Sequence, residues 1–329
     1  MPLVTVFSAQ PYDIDSLKKW GQGHFSWRFI SHKLDENSVI EAAGSDAVCA
    51  FVNDDLSAKV LDKLHNLAIK HVALRCAGYN NVDVSYGKAL GMQFARVPAY
   101  SPEAVAEHCV AMMLCLNRKL HKAYNRVRDD NFSLNGLLGF NLHGKTVGII
   151  GTGRIGLATT RILAGFGCKV LCVDPQQTAE LPEANCRYAT LAEVYANADV
   201  ISLHCPLTPE TFYMINEQSL QQMKDGVMLI NTSRGGLIDT KAVIKALKSH
   251  KIGFLGLDVY EQEADLFFKD LSDHVIADEV FQRLLTFPNV LITGHQAFFT
   301  EEAMAQIGQT TCYNLAAMIH NQPCENLLG

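Results

Sequence analysis

No apolar run in the sequence approaches the roughly 20 residues that a membrane-spanning helix needs. The first residues, Met-Pro-Leu-Val-Thr-Val-Phe, lack a positive stretch followed by an apolar one, so no secretory signal is expected. Basic charge is also scarce. With 28 Lys and Arg against 34 Asp and Glu, the net charge is −6, which argues against a nucleic-acid or anionic-membrane partner. A chain of this sign that binds an anion must do so with a local device. Internal repeats and low-complexity stretches are absent. So are C-x-x-C and H-E-x-x-H, and no metal is expected. The 10 cysteines sit mostly within apolar runs, as reduced, buried thiols of a cytoplasmic protein would.

What is present is alternation. Short apolar runs at 3–7, 47–52, 71–75 and 93–97 are separated by helical patterns, for example 57–69 and 84–90. A long amphipathic stretch covers 102–130, with Ser101 placed to cap it and Pro102 in its first turn. Further strand patterns follow at 146–150, 169–173, 200–203, 227–231, 254–257 and 290–293, and a last helical one at 301–320. Such alternation predicts an α/β protein with parallel, doubly wound sheets. Its 329 residues suit two domains of roughly 100–200 residues. The last helix has no sheet near it in sequence, so the chain is expected to return to its first domain. The layout is then 1–99, an inserted domain at 100–297, and a return at 298–329, with two crossings able to act as a hinge and a cleft between domains for a ligand.

Gly151-Thr-Gly153-Arg-Ile-Gly156 fits G-x-G-x-x-G. A lone match is weak, but this one follows an apolar strand and opens a helical pattern. Gly151 permits the tight turn, Gly153 lets backbone approach a pyrophosphate, and Gly156 lets helix and strand pack closely. The helix N-terminus supplies the local positive charge. The next strand ends at Asp174, where an acid accepts hydrogen bonds from ribose hydroxyls and repels a 2′-phosphate. Pro175, Gln176 and Gln177 offer no cation for that phosphate. NAD(H) is therefore preferred over NADP(H).

Hydride transfer between such a cofactor and a carbonyl substrate needs a group to hold and polarise the substrate and another to deliver a proton. Arg234, beyond an apolar strand, suits the first with its planar, always-charged fork. His295, also just past a strand, suits the second. Glu263 follows strand-end Asp258 by five residues, with Glu261 and Asp265 as equal rivals. Taken singly, each has an ordinary structural reading; the specific feature is three polar groups beyond three strand ends. His204 reads as a wall of the cofactor site rather than an acid. Arg75 precedes the turn Cys76-Ala77-Gly78-Tyr79-Asn80, whose N–H groups could hold a carboxylate.

Seven segments together carry a resemblance over nearly the whole chain. They are 74–83 (LRCAGYNNVD), 97–108 (VPAYSPEAVAEH), the glycine motif, 203–208 (LHCPLT), 231–235 (NTSRG), 257–263 (LDVYEQE) and 294–298 (GHQAF). In this order they resemble the D-2-hydroxyacid dehydrogenase family, and within it the bacterial fermentative branch acting on lactate. The resemblance implies a flavodoxin-like substrate domain with an inserted Rossmann NAD domain, and a homodimer or homotetramer. It implies Arg234 as substrate anchor, His295 as proton donor and Glu263 as the partner that favours its charged form. It implies Ala77, Gly78 and Tyr100 around the substrate carboxylate. The NAD site would draw on Arg154, Ile155, Asp174, Cys205, Pro206, Thr211, Thr232, Ser233 and Asp258 beside the three glycines.

The run His295-Gln-Ala-Phe298-Phe299 places an aromatic wall where relatives acting on glycerate carry small residues, which suits a methyl-sized side chain. Gln262 departs from the Asn usual there, next to an unchanged Glu263. The sequence ends at Gly329, without the regulatory extension of many phosphoglycerate dehydrogenases. Reversible reduction of pyruvate to D-lactate is the expected activity. A bulkier 2-keto acid is the first alternative, since one methylene is worth only about 1–3 kcal/mol in an apolar pocket. An NAD(H)-sensing corepressor-like binding protein is the second.

Overall fold

The computed structural model describes residues 1–182 and 184–329, with Asp265 given by its backbone alone. It contains two compact units: Met1–Ser101 with Phe299–Gly329, and Pro102–Phe298.

The first unit holds strands β1 (Leu3–Val6), β2 (Ser26–Phe29), β3 (Ala47–Ala50), β4 (His71–Leu74) and β5 (Gln93–Arg96). All pair in parallel, in the order β2-β1-β3-β4-β5. Parallel neighbours need crossovers, and the helices Pro11–Trp20, Ala58–Asn66 and Val84–Ala89 supply them. Central strands covered on both faces read as unbroken apolar runs rather than alternations. Accordingly every residue of β3 is buried. The helix Glu301–Ile319 brings Cys312, Leu315 and Met318 into a core with Val4, Val6, Leu17 and Cys49. Leu328 then bonds to Phe94 O along β5.

The second unit holds β6 (Thr146–Ile150), β7 (Lys169–Val173), β8 (Cys186–Tyr188), β9 (Val200–Leu203), β10 (Val227–Asn231), β11 (Ile252–Leu257) and β12 (Val290–Ile292). Its sheet is parallel throughout, in the order β12-β11-β10-β9-β6-β7-β8. The order reverses at β6, which lies between β7 and β9. Ligands of open α/β sheets bind beyond the strand ends at such a switch point.

Two strands escaped the apolar pattern. In β2 no residue is fully buried, and β8 is a three-residue edge. The stretch expected at 102–130 forms two helices, Pro102–Arg118 and Leu120–Arg128. Lys119 between them takes a left-handed conformation, φ 51°, that a helix does not contain. No helix among the described residues is long and apolar enough to cross a membrane.

Candidate active site

The glycine turn follows β6. Gly151 has φ 99°, and a Cβ there would lie 2.5 Å from Cys205 N. A Cβ on Gly156 would lie 1.9 Å from Gly151 O, so helix Arg154–Gly165 could not close onto the turn. Gly153 differs: a Cβ would meet nothing within 4 Å. The chain's own packing does not demand glycine there; a ligand lying on the backbone would.

Two further features fit a dinucleotide. The helix opening at Arg154 and Ile155 has no side-chain cap on its free N–H groups, and such groups favour an anion. The Thr232 hydroxyl is buried with no hydrogen-bond partner among the described residues, a condition a polar ligand would relieve. Asp174 immediately follows β7, where Thr152 N donates to Oδ2 at 2.7 Å and Gln176 N to Oδ1 at 2.8 Å. These bonds orient the carboxylate and leave lone pairs for hydroxyl donors.

On the other side of the switch point, Cys205 and Pro206 follow β9. The Ser233 hydroxyl donates to Cys205 O at 2.7 Å, and Thr211 Oγ1 donates to Pro206 O at 2.7 Å, closing that loop. Burial pushes the Cys205 thiol up to about 11, which removes it as a thiolate nucleophile near neutral pH. His204 is partly covered beside Ser202, and desolvation pushes its imidazole down to about 4. It is neutral at physiological pH and unsuited to giving up a proton.

Arg234 lies just past β10. Asn231 grips the backbone on both sides of it: its Nδ2 donates to Arg234 O at 2.8 Å, and its Oδ1 accepts from Ser233 N at 3.0 Å. The guanidinium uses Nη1 on Ser233 O at 2.7 Å; the rest of the fork has no protein hydrogen bond among the described residues. Gly235 brings this segment against the next loop. A Cβ on it would stand 2.1 Å from Tyr260 C, so only glycine permits the approach.

That next loop carries Glu263. Its Oε1 lies 2.9 Å from His295 Nδ1, and its Oε2 accepts from Tyr260 N at 3.1 Å. A carboxylate only accepts, so Nδ1 carries the hydrogen and Nε2 is the nitrogen left for chemistry. Both side chains are 17% exposed. Glu261 does other work, accepting from Thr240 N at the start of helix Thr240–Lys248. The side chain of Asp265, the remaining rival, lies outside the described residues.

His295 sits in a short loop after β12. The ring of Phe298 meets it edge-on at 6.4 Å, and Phe268 flanks it at 5.7 Å. Asp258, at the end of β11, is fully buried and accepts from Gln296 N and Ala297 N, each at 2.9 Å. Both its oxygens thus already serve the His295 loop. Phe268 had no signal in the sequence, because its loop lacks periodicity.

Arg96 Nη1 donates to Ala77 O at 2.8 Å, and Cys76 Sγ donates to Gly78 O at 3.2 Å, fixing the turn after β4. Arg75 is buried, donating to Ser8 O at 2.8 Å and paired with Asp13 at 3.3 Å. Tyr100 follows β5 and is half-buried. Phe299 packs edge-on against Tyr12 at 4.7 Å.

Residues 110–297 match the family model for the D-isomer specific 2-hydroxyacid dehydrogenase NAD binding domain. D-lactate dehydrogenase of Escherichia coli is 52% identical over 326 residues, covering 99% of both chains. A pyruvate reductase of Chlamydomonas reinhardtii matches the fold with a TM-score of 0.93 at 44% identity, over 99% of this chain and 98% of that one. D-lactate dehydrogenase from Aquifex aeolicus, solved with NAD and lactic acid, matches with a TM-score of 0.85 at 36% identity, over 97% and 96% of the two chains. With its glycine turn at the sheet's switch point and full-length relatives of this kind, the chain belongs to the D-isomer specific 2-hydroxyacid dehydrogenase family.

Proposed function

We propose that this protein reduces pyruvate to D-lactate, reversibly, with NADH. The observation that carries the reading is the His295–Glu263 pair at 2.9 Å, reached from the ends of two strands, with the backbone after Arg234 packed through Gly235 against the loop that leads to Glu263. NADH, when bound, supplies the hydride that adds to the ketone carbon. The remaining work falls to side chains. Arg234 holds the carboxylate and polarises the ketone oxygen with its unused donors. His295 Nε2 gives a proton to the oxygen as it becomes an alcohol, and Glu263 stabilises the imidazolium that must exist beforehand. The turn at Ala77 and Gly78, with Tyr100, is assigned to the substrate carboxylate. Residues 1–99 and 298–329 are assigned to the substrate domain and 100–297 to the NAD domain. Phe298 forms an apolar wall suited to the methyl group.

The purified chain should oxidise NADH with pyruvate and yield D-lactate on enantiomer-resolved analysis. Faster turnover of 2-ketoisocaproate would move the assignment to a bulkier acid. NADH binding with no turnover of any 2-keto acid would leave a cofactor-sensing protein.

Arg154, Ile155, Cys205, Pro206, Thr211, Thr232, Ser233 and Asp258 belong to the same proposed cofactor site. Within it Asp174 sets the preference for NADH. Asp174→Ala should weaken NADH more than NADPH, by about tenfold, since hydrogen bonds to a charged group are worth roughly 1.5–3 kcal/mol. An unchanged NADH/NADPH ratio of kcat/KM would remove the assignment.

We also propose a cytoplasmic homodimer or homotetramer. The helix Leu120–Arg128 buries none of its residues, and Leu120, Tyr124, Phe132, Leu134 and Leu138 are exposed near it in sequence. Clustered apolar exposure of this kind suits a protein interface.

A further inference from the structure

His108 has no part in the reading above. It stands on the helix Pro102–Arg118, which opens where the chain enters the second unit. Its Nε2 lies 3.1 Å from Thr293 Oγ1 and 3.5 Å from Asp258 Oδ1. The Thr293 hydroxyl itself donates to Asp258 Oδ1. Its oxygen is then free only to accept, so His108 Nε2 must be the protonated nitrogen. The result is a one-way chain of donors, from Nε2–H to the threonine hydroxyl to a carboxylate that is 0% exposed.

Asp258 is the hub. Its carboxylate takes the Thr293 hydroxyl and the amides of Gln296 and Ala297, while its carbonyl takes His295 N at 2.8 Å. Within 293–297, only Gly294 has no bond to it. The loop also holds His295 at φ 53°. This left-handed conformation is disfavoured for a residue with a Cβ, and it persists only where surrounding contacts over-determine it. Pro102 and Phe298, the ends of the unit, are each a few residues from this network.

We infer that His108 is a positioning residue. Through Thr293 and Asp258 it locks the 293–297 loop, fixes where His295 Nε2 points, and ties the helix that enters the second unit to the loop that leaves it. The inference rests on His295 being the proton donor.

The test uses the full-length protein. His108→Leu removes the donor and should lower kcat for pyruvate by about 10–100-fold, as small misplacements of a reacting group do. NADH affinity, read by fluorescence titration, should stay within about twofold, because a positioning loss falls on the chemical step. His108→Gln, whose amide can donate from a similar place, should recover most of kcat. Thr293→Val should reproduce His108→Leu, and Thr293→Ser should not. The double variant His108→Leu/Thr293→Val should be no slower than either single one, since both cut one relay.

Wild-type kcat in His108→Leu would overturn the inference. So would multiplying losses in the double variant, or an equal loss of NADH affinity that His108→Gln fails to mend. If His108→Leu does not fold, the Val and Ser variants of Thr293 decide the matter alone. Should His295→Gln turn over normally, the function reading fails first. Should His295→Gln be inactive while His108→Leu is normal, only the lock fails.

Discussion

His295→Gln is expected to depress pyruvate reduction and lactate oxidation by about 10²–10⁴-fold at every pH, the usual worth of a positioned general acid and base. His204 cannot substitute: held down at about 4 by desolvation, it is uncharged in the working range. Glu263→Gln is the more discriminating variant because it keeps a hydrogen-bonding shape opposite Nδ1 and removes only the charge. The carboxylate oxygen 2.9 Å from Nδ1 takes its hydrogen and holds the ring so that Nε2 is the nitrogen left for the substrate. Glu263→Gln should lower kcat for pyruvate reduction by about 10²-fold, the cost of a misplaced reacting group, while NADH affinity, read by titration, stays unchanged. Wild-type kcat would refute the pairing, and an equal loss produced by Glu261→Gln instead would contradict its place at the Thr240 helix.

Arg234→Lys should reduce kcat/KM for pyruvate by about 10²–10³-fold although the charge is kept. Two charge-assisted bonds at roughly 1.5–3 kcal/mol each are at stake, and a point-charge ammonium recovers only part of them. The backbone around residue 234 is held by Asn231 and by the Gly235 contact, neither of which involves the guanidinium. The variant should therefore fold and bind NADH as before. Steady-state kinetics with a parallel NADH titration measures both. Near-normal kcat/KM would return Arg234 to the surface.

The sequence makes some of this readable and leaves the rest hidden, for physical reasons. Strands such as Thr146–Ile150 and Val227–Asn231 are buried on both faces and show as continuous apolar runs. Ser26–Phe29 has an aromatic at alternate positions but no buried residue, so it shows no continuous apolar run. The glycine motif is legible because each position answers to a contact that a side chain would violate or that a ligand would need. Spacing alone leaves the choice among Glu261, Glu263 and Asp265 open, and only the family resemblance singles out Glu263. Two positions along the loop turn a side chain to another partner, and only the fold reveals that Glu261 is engaged at Thr240. His108 lay inside a quoted motif with no visible task, since its partners are 150 and 185 residues away.

The return of the chain has a consequence in time. Val4, Val6 and Leu17 are made early, yet the Cys312, Leu315 and Met318 side chains that complete their core are made almost last. At about 5–20 residues per second, some 300 residues of synthesis separate the two by roughly 15–60 s. Through that interval one face of the first sheet has the helix Pro11–Trp20 but not the helix Glu301–Ile319 that completes its cover. The second unit, contiguous from Pro102 to Phe298, can meanwhile assemble from its own residues. During biosynthesis the later-coded unit is thus finished before the earlier one, and the unfinished N-terminal sheet is the surface on which a nascent-chain chaperone would act.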